Sequence, residues 1–209
     1  MEVAEKIQLT EAQIAVLNGG ETVVMPATCE EFEDFLAETS YRTEYNNDHI
    51  CIMGLATVIH EILVIRLGYL LTGFYLDKPY YVAGSNTGIR KDSVRGHYNG
   101  DVVVIKGKPQ YEGRSRSIIT NPFLIVEVLS ESTSDFDLGE KRRKYERMNS
   151  VQEIIFVDPF EKEVLVCKRT EQPNVWTETT FFQDTDLVKM DGFTVPLSTI
   201  FANLPEEDD

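Results

Sequence analysis

Apolar positions along the chain fall into runs of two periods. Residues 123–129 read Phe-Leu-Ile-Val-Glu-Val-Leu, an apolar stretch broken by one carboxylate, Glu127. Such a run, rich in branched side chains, predicts a strand covered on both faces. Residues 101–106 (DVVVIK) and 153–157 (EIIFV) predict two more, the second stopped by Asp158-Pro159. A hairpin through residues 160–162 leads into a strand at 163–168, and further strands are expected at 80–83, 176–182 and 186–190. Two short strands, 41–45 and 49–53, flank the turn Asn46-Asn47-Asp48.

Helical spacing appears in three places. Thr28 with Glu31 forms a capping box before Phe32, Phe35 and Leu36, which predicts an amphipathic helix over 29–39. Residues 57–71 (TVIHEILVIRLGYLL) are apolar almost all round, but His60, Glu61 and Arg66 interrupt them. Uninterrupted stretches fall short of the roughly 20 residues a membrane span needs, so a largely buried core helix closed by Gly73 is expected, and no membrane. At 100° per residue, 136–148 forms a helix with Leu138, Tyr145 and Met148 as its apolar stripe. Lys141 falls inside that stripe, whereas Glu140, Arg143 and Arg147 face solvent.

Residues 1–27 are a poorly patterned lead-in punctuated by Gly19-Gly20 and Pro26, and 205–209 an acidic tail. Between them, 28–204 reads as one domain of α/β (α+β) class, a mixed sheet with helices on its faces and a short helix over 197–204.

Charge changes this picture more than composition does. The 209 residues carry a formal net charge of −15, the opposite of what phosphate-neutralising nucleic-acid binders show. Either the partner is not a polyanion, or a local basic patch and a bound metal offset the global field. Arg90, Lys91 and Arg95 bunch in the polar segment 84–100, and Arg114 and Arg116 in 107–121, flanking Asp101 in sequence. The cysteines, Cys29, Cys51 and Cys167, form no CxxC, which argues against zinc and disulfides and for a reduced, cytoplasmic setting. Residues 1–8 lack the apolar core of a secretory signal. No P-loop or GxGxxG element occurs, so no nucleotide cofactor is indicated.

Two charges are out of place. Glu127 interrupts a buried strand and Lys141 an apolar helix face, and each is costly without compensation. One reading is a structural Glu127–Lys141 ion pair, with Asp101 merely ending a turn. The other brings Asp101 and Glu127 together on neighbouring strands around a hard cation such as Mg²⁺, with Lys141 beside it. His60 is most simply a hydrogen-bonded core histidine. Glu61 is either a metal ligand or the partner of Arg66, and Asp137 stands four residues before Lys141, close enough to pair. Ser130–Thr133 reads as turn chemistry, with no GxSxG context for serine catalysis.

The run DVVVIK, then FLIVEVLSESTSDFDLGEKRRKY, then EIIFVDP, preceded by Glu44 and His60, resembles the Uma-type endonuclease family of the PD-(D/E)XK superfamily. Family members read "PDVVVV", "EVLSPST…D…EK…Y" and "EYWLVDP". The likeness spans roughly 40–200 and implies a restriction-endonuclease-like core with extra C-terminal strands. It implies a metal-dependent DNA endonuclease using Mg²⁺ or Mn²⁺, with Asp101 and Glu127 as metal ligands. Leu129 stands where a D/E-x-K lysine would, and the resemblance assigns that role to Lys141 on the following helix. Glu44, His60 and Tyr145 match as accessory residues, with Asp137 as a further support. Beside the resemblance, Glu61 is a second candidate to complete the site, and Arg90, Lys91, Arg95, Arg114 and Arg116 are expected to meet substrate phosphates if their loops border the cleft. Cutting both strands implies a homodimer. Gly100 replaces the family's usual proline before Asp101. The rival reading is a catalytically inactive descendant serving as a binding module.

Overall fold

The three most apolar runs lie side by side at the centre of one sheet. The computed structural model describes residues 7–46, 48–90, 96–112, 116–131 and 133–205; Lys91, Arg95 and Arg114 lie outside them. In chain order these hold α1 (Glu11–Asn18), β1 (Val23–Pro26), α2 (Cys29–Glu38), β2 (Thr43–Asn46), β3 (His49–Ile52), α3 (Val58–Tyr75) and β4 (Tyr80–Gly84). Next come β5 (Gly88–Ile89), β6 (Tyr98–Asn99), β7 (Val102–Lys106), β8 (Ile118–Ile119) and β9 (Pro122–Val128). Helix α4 has three consecutive parts, Ser134–Phe136, a π-helical turn Asp137–Lys141, and Arg142–Glu146. It is followed by β10 (Glu153–Asp158), β11 (Glu163–Arg169), β12 (Trp176–Phe181), β13 (Leu187–Met190), β14 (Phe193–Pro196) and α5 (Leu197–Ile200).

The main sheet runs β12-β11-β10-β9-β7-β4. Only β9 and β10 pair in parallel, joined by α4, so the sheet is mixed. All seven residues of β9 are buried, which is why its sequence does not alternate. Beyond Phe123, which joins the α3 side next to the register shift at Val104/Ile105, side chains of β9 divide by parity instead. Leu124, Val126 and Val128 pack with Leu63, Leu67 and Leu71 of α3, while Ile125 packs with Tyr145 and Met148 on the α4 side. The helices thus cover opposite faces, as the period-2 geometry of a strand requires.

A smaller sheet, β1-β3-β2, closes over α1 and α2 around Leu17, Phe32, Tyr45, Ile50 and Ile52. The lead-in therefore holds a helix and a strand. Thr10 and Gln13 form a capping box, but α1 buries only Leu17, too narrow a stripe for periodicity to register. Gly73 does not close α3, which continues to Tyr75 because open space surrounds it and its backbone stays helical. The polar segments hide β5, β6 and β8, two-residue strands too short to show a period.

The π-turn corrects the helical phase read from sequence. Lys141, Tyr145 and Met148 are buried, but Leu138 is 38% exposed and Asp137 takes the inward place. A π-turn inserts one residue into the helical repeat, so positions before it rotate off the phase that a uniform 100° assigns.

Candidate active site

Strand register brings the first two carboxylates together. Val102 faces Val126 across the antiparallel β7–β9 pair, so the next step sets Asp101 opposite Glu127. Opposed residues of an antiparallel pair share a face. The backbone agrees: the Asp101 amide donates to Val126 O at 2.9 Å, and the Val128 amide donates to Asp101 Oδ2 at 2.8 Å. Both residues are buried, Asp101 at the strand mouth and Glu127 near the end of β9. Gly100 fits this corner because a Cβ there would lie 2.9 Å from Ile125 Cγ2 and 3.0 Å from Val103 Cγ2.

Helix α4 brings Lys141 to this corner. Its Nζ lies 3.0 Å from Glu127 Oε1, 3.1 Å from Asp137 Oδ1 and 3.3 Å from Glu44 Oε1. Tyr145, one turn on, donates to Glu127 Oε1 at 2.7 Å, and Thr133 Oγ1 donates to Asp137 Oδ2 at 2.8 Å. Glu44 enters from β2, where its Oε1 accepts from the Asn99 amide at 2.8 Å and its Oε2 is buried without a hydrogen-bond partner. Leu129, at the D/E-x-K lysine position, is buried in the apolar cluster beneath Tyr145 and Met148.

Asp101 gathers a second set of partners. Arg42 Nη1 lies 2.7 Å from Oδ1 while its Nη2 donates to Asn99 O at 2.7 Å. His60 Nε2 approaches Oδ2 at 3.2 Å from the first turn of α3. Its Nδ1 is buried without a hydrogen bond, 3.7 Å from Glu61 Oε1. Glu61 is not the partner of Arg66, whose Nη1 instead donates to Ile200 O at 2.6 Å. Arg42 was not singled out from sequence, although it shares strand parity with Glu44 in Tyr41-Arg42-Thr43-Glu44. That parity is the signal that could have found it.

The electrostatics are lopsided. Four buried carboxylates, Glu44, Asp101, Glu127 and Asp137, face two buried or half-buried cations, Arg42 and Lys141. Burial raises the Asp101 carboxyl, but the Arg42 charge and the His60 hydrogen bond outweigh it and hold the group well below the usual carboxylate range. Burial pushes Glu127 well above that range, and raises Glu44 as well; the charge of Lys141 opposes this in both. Lys141 is held firmly protonated, because Asp137, Glu127 and Glu44 overcome its own desolvation. The cluster has room for further positive charge.

Among the described residues, no group of three or more His, Cys, Asp and Glu side chains is placed to share one ion. Mg²⁺ does not require such a cage; one or two carboxylates plus waters and substrate phosphate suffice. The hard oxygen donors, the carboxylate excess and the orphaned Glu44 Oε2 fit that pattern. Asp101, Glu127, His60, Glu61 and Lys141 open onto a cleft of about 590 Å³, with Tyr41, Leu55, Phe136 and Phe160 on its apolar wall. Its described lining contains two cationic residues, Arg42 and Lys141, against six acidic ones. Arg90 lies elsewhere, donating to Gly96 O at 2.9 Å and paired with Glu33 at 3.2 Å. Arg116 stacks over Tyr111 beside a shallow neighbouring pocket, which shares Ser85 and Asn86 with the cleft.

Comparison with known proteins is consistent in kind. A family model described as Uma2, putative restriction endonuclease, matches residues 29–199. The uncharacterized protein sll1609 of Synechocystis sp. is 28% identical over 144 residues, 69% of this chain and 78% of that protein. A crystal structure titled as a putative nuclease belonging to DUF820, from Anabaena variabilis, superposes with a TM-score of 0.69 over 85% of this chain and 98% of its own. At 18% identity, that likeness establishes the fold.

Proposed function

This chain belongs to the Uma2 family of putative restriction endonucleases, and from that premise we propose that it hydrolyses DNA phosphodiester bonds with the help of a divalent metal ion. The observation that carries this reading is the convergence of Asp101 and Glu127, opposite in register on β7 and β9, with Lys141 Nζ 3.0 Å from Glu127. Asp101 and Glu127 would hold Mg²⁺ or Mn²⁺. When bound, such an ion polarises the phosphoryl oxygen and lowers the pKa of a coordinated water.

The chain's own residues do the rest. Lys141, permanently charged among carboxylates, stabilises negative charge developing on the phosphorane-like transition state. Asp137 and Glu44 also hold its ammonium, and Tyr145 fixes the Glu127 carboxylate. Arg42 and His60 orient Asp101 through its two oxygens, Oδ1 and Oδ2 respectively. The apolar wall of the cleft limits water around the reacting phosphate, which strengthens each of these interactions.

A second reading, an inactive descendant acting as a binding module, is favoured by one observation. Both Asp101 oxygens and the Lys141 ammonium already have partners, as they would in a self-sufficient ion-pair network. Incubation with supercoiled plasmid and Mg²⁺ or Mn²⁺ separates the two. Nicking by wild type that is lost in Lys141→Met and Glu127→Gln supports the nuclease. Indistinguishable nicking in all three is contamination, and the binding-module reading then stands.

A further inference from the structure

Helix α3 is apolar on both sides, yet the fold buries one. Leu63, Leu67, Leu71 and Tyr75 pack on the sheet. On the opposite side Val58 is 71% exposed, Ile65 71%, Tyr69 77% and Leu76 74%. Half-buried Ile62 and exposed Thr72 complete the row. Steps between successive members alternate between four and three residues, from Val58 to Leu76. That is the 3.5-residue repeat of a helix–helix seam, sustained over the whole helix. A patch of this kind is larger than the scattered apolar residues that every surface carries.

We propose that this face of α3 is a homodimer interface, on which a second copy of the chain packs its own α3 in parallel. A seam with one repeat, left uncovered among the described residues, is complementary to itself, as a two-fold interface requires. Charge selects the orientation. Glu61 and Arg66 flank opposite edges of the seam five residues apart, so a parallel pair sets Glu61 across from Arg66 of the partner subunit, twice. An antiparallel pair centred on the same seam leaves each of them facing uncharged residues. By length and apolarity α3 also passes for a membrane span, with a mean hydropathy of 1.4 over 18 residues. A lipid surface is the poorer occupant: acidic Glu61 and Asp77 offset Arg66 and Lys78, and the chain carries −15 overall. His60 sits on the first turn of α3, so parallel pairing brings both clefts to the same end of the seam.

Sedimentation equilibrium of the full chain tests this whether or not the chain cleaves DNA. The expected mass is twice 23.8 kDa at concentrations on the order of 10–100 µM, where even a weak specific interface is populated. Ile65→Glu and Tyr69→Glu each weaken association about tenfold or more, and both keep the wild-type circular dichroism because the side chains are exposed. Ile65→Cys becomes an oxidatively cross-linked dimer, with wild type as the control for native cysteines. A monomeric wild type, or an undiminished dimer in Ile65→Glu, overturns the interface. Failure of Ile65→Cys to cross-link while the dimer persists overturns the parallel arrangement. Binding of wild type to phosphatidylcholine vesicles that Ile65→Glu abolishes assigns the face to a lipid surface instead, and also overturns the proposal.

Discussion

Arg42 Nη1 lies 2.7 Å from Asp101 Oδ1, a contact between residues 59 apart in sequence that ties the β2 hairpin to the main sheet. Removing one member of such a pair strands a buried charge. Arg42→Ala is therefore expected to lower stability by about 2–4 kcal/mol, toward the low side because the arginine side chain is 21% exposed. With Asp101→Asn in the same chain the losses should be less than additive by about 1–3 kcal/mol. Urea midpoints at constant m-value read both effects. Strict additivity would show that Arg42 is not the counter-charge of Asp101.

Asp101 and Glu127 should respond to pH in opposite senses. Asp101 is depressed in the fold, so its contribution is full above its unfolded pKa and lost as pH falls toward its folded value. Glu127 is raised, chiefly by burial, so its contribution is full below its unfolded pKa and lost as pH rises through its folded one. Glu127→Gln should therefore be more stable than wild type at about pH 8 in EDTA, and equal to it near pH 4. Adding Mn²⁺ should raise the melting temperature of wild type and leave the variant unmoved. A wild type more stable than Glu127→Gln at pH 8 without metal would contradict this.

His97 offers a separate titration. Burial and then the nearby Arg90 charge press its imidazole down from 6.5 to about 4. Its contribution is full above the unfolded pKa and lost as pH falls from about 6.5 to about 4, a change of about 3 kcal/mol. His97→Gln should flatten that part of the stability profile without touching the acid limb set by Asp101. Direct NMR titration of the ring gives the decisive value; a midpoint near 6.5 would refute the prediction.

Lys141→Ala leaves Glu44, Glu127 and Asp137 without their shared cation. The expected cost near neutral pH is about 3–5 kcal/mol. It should shrink on acidification, because Glu44 and Glu127 already have raised pKa values and take protons early. Thermal unfolding of variant and wild type at two pH values measures this. A deficit independent of pH would mean that Lys141 matters through its packing alone.

Legibility in sequence followed local patterning. Strands β7, β9 and β10 could be read from their apolar runs because each is buried on both faces. Glu127 and Lys141 stood out because each breaks such a pattern. Leu138 misled, since the π-turn that rotates it outward leaves no trace in a 100° projection. Arg42 was silent for a different reason: it lies in a short polar stretch where a charge looks unremarkable until β2 is folded against β6 and β7. The exposed stripe on α3 was visible as apolarity, but its division between core and surface depended on which face met the sheet.

Where acid and lysine stand two residues apart on one strand, peptide geometry alone holds them in register. Here Leu129 fills that place, and Lys141 reaches Glu127 only because Tyr145 and Met148 seat α4 against the sheet. The pairing is therefore an assembled property, present when α4 docks and gone when it lifts. A copy that has misfolded locally, or is still emerging from synthesis, holds its carboxylates and its lysine apart. Any reaction that depends on their meeting is switched on by completion of the fold itself.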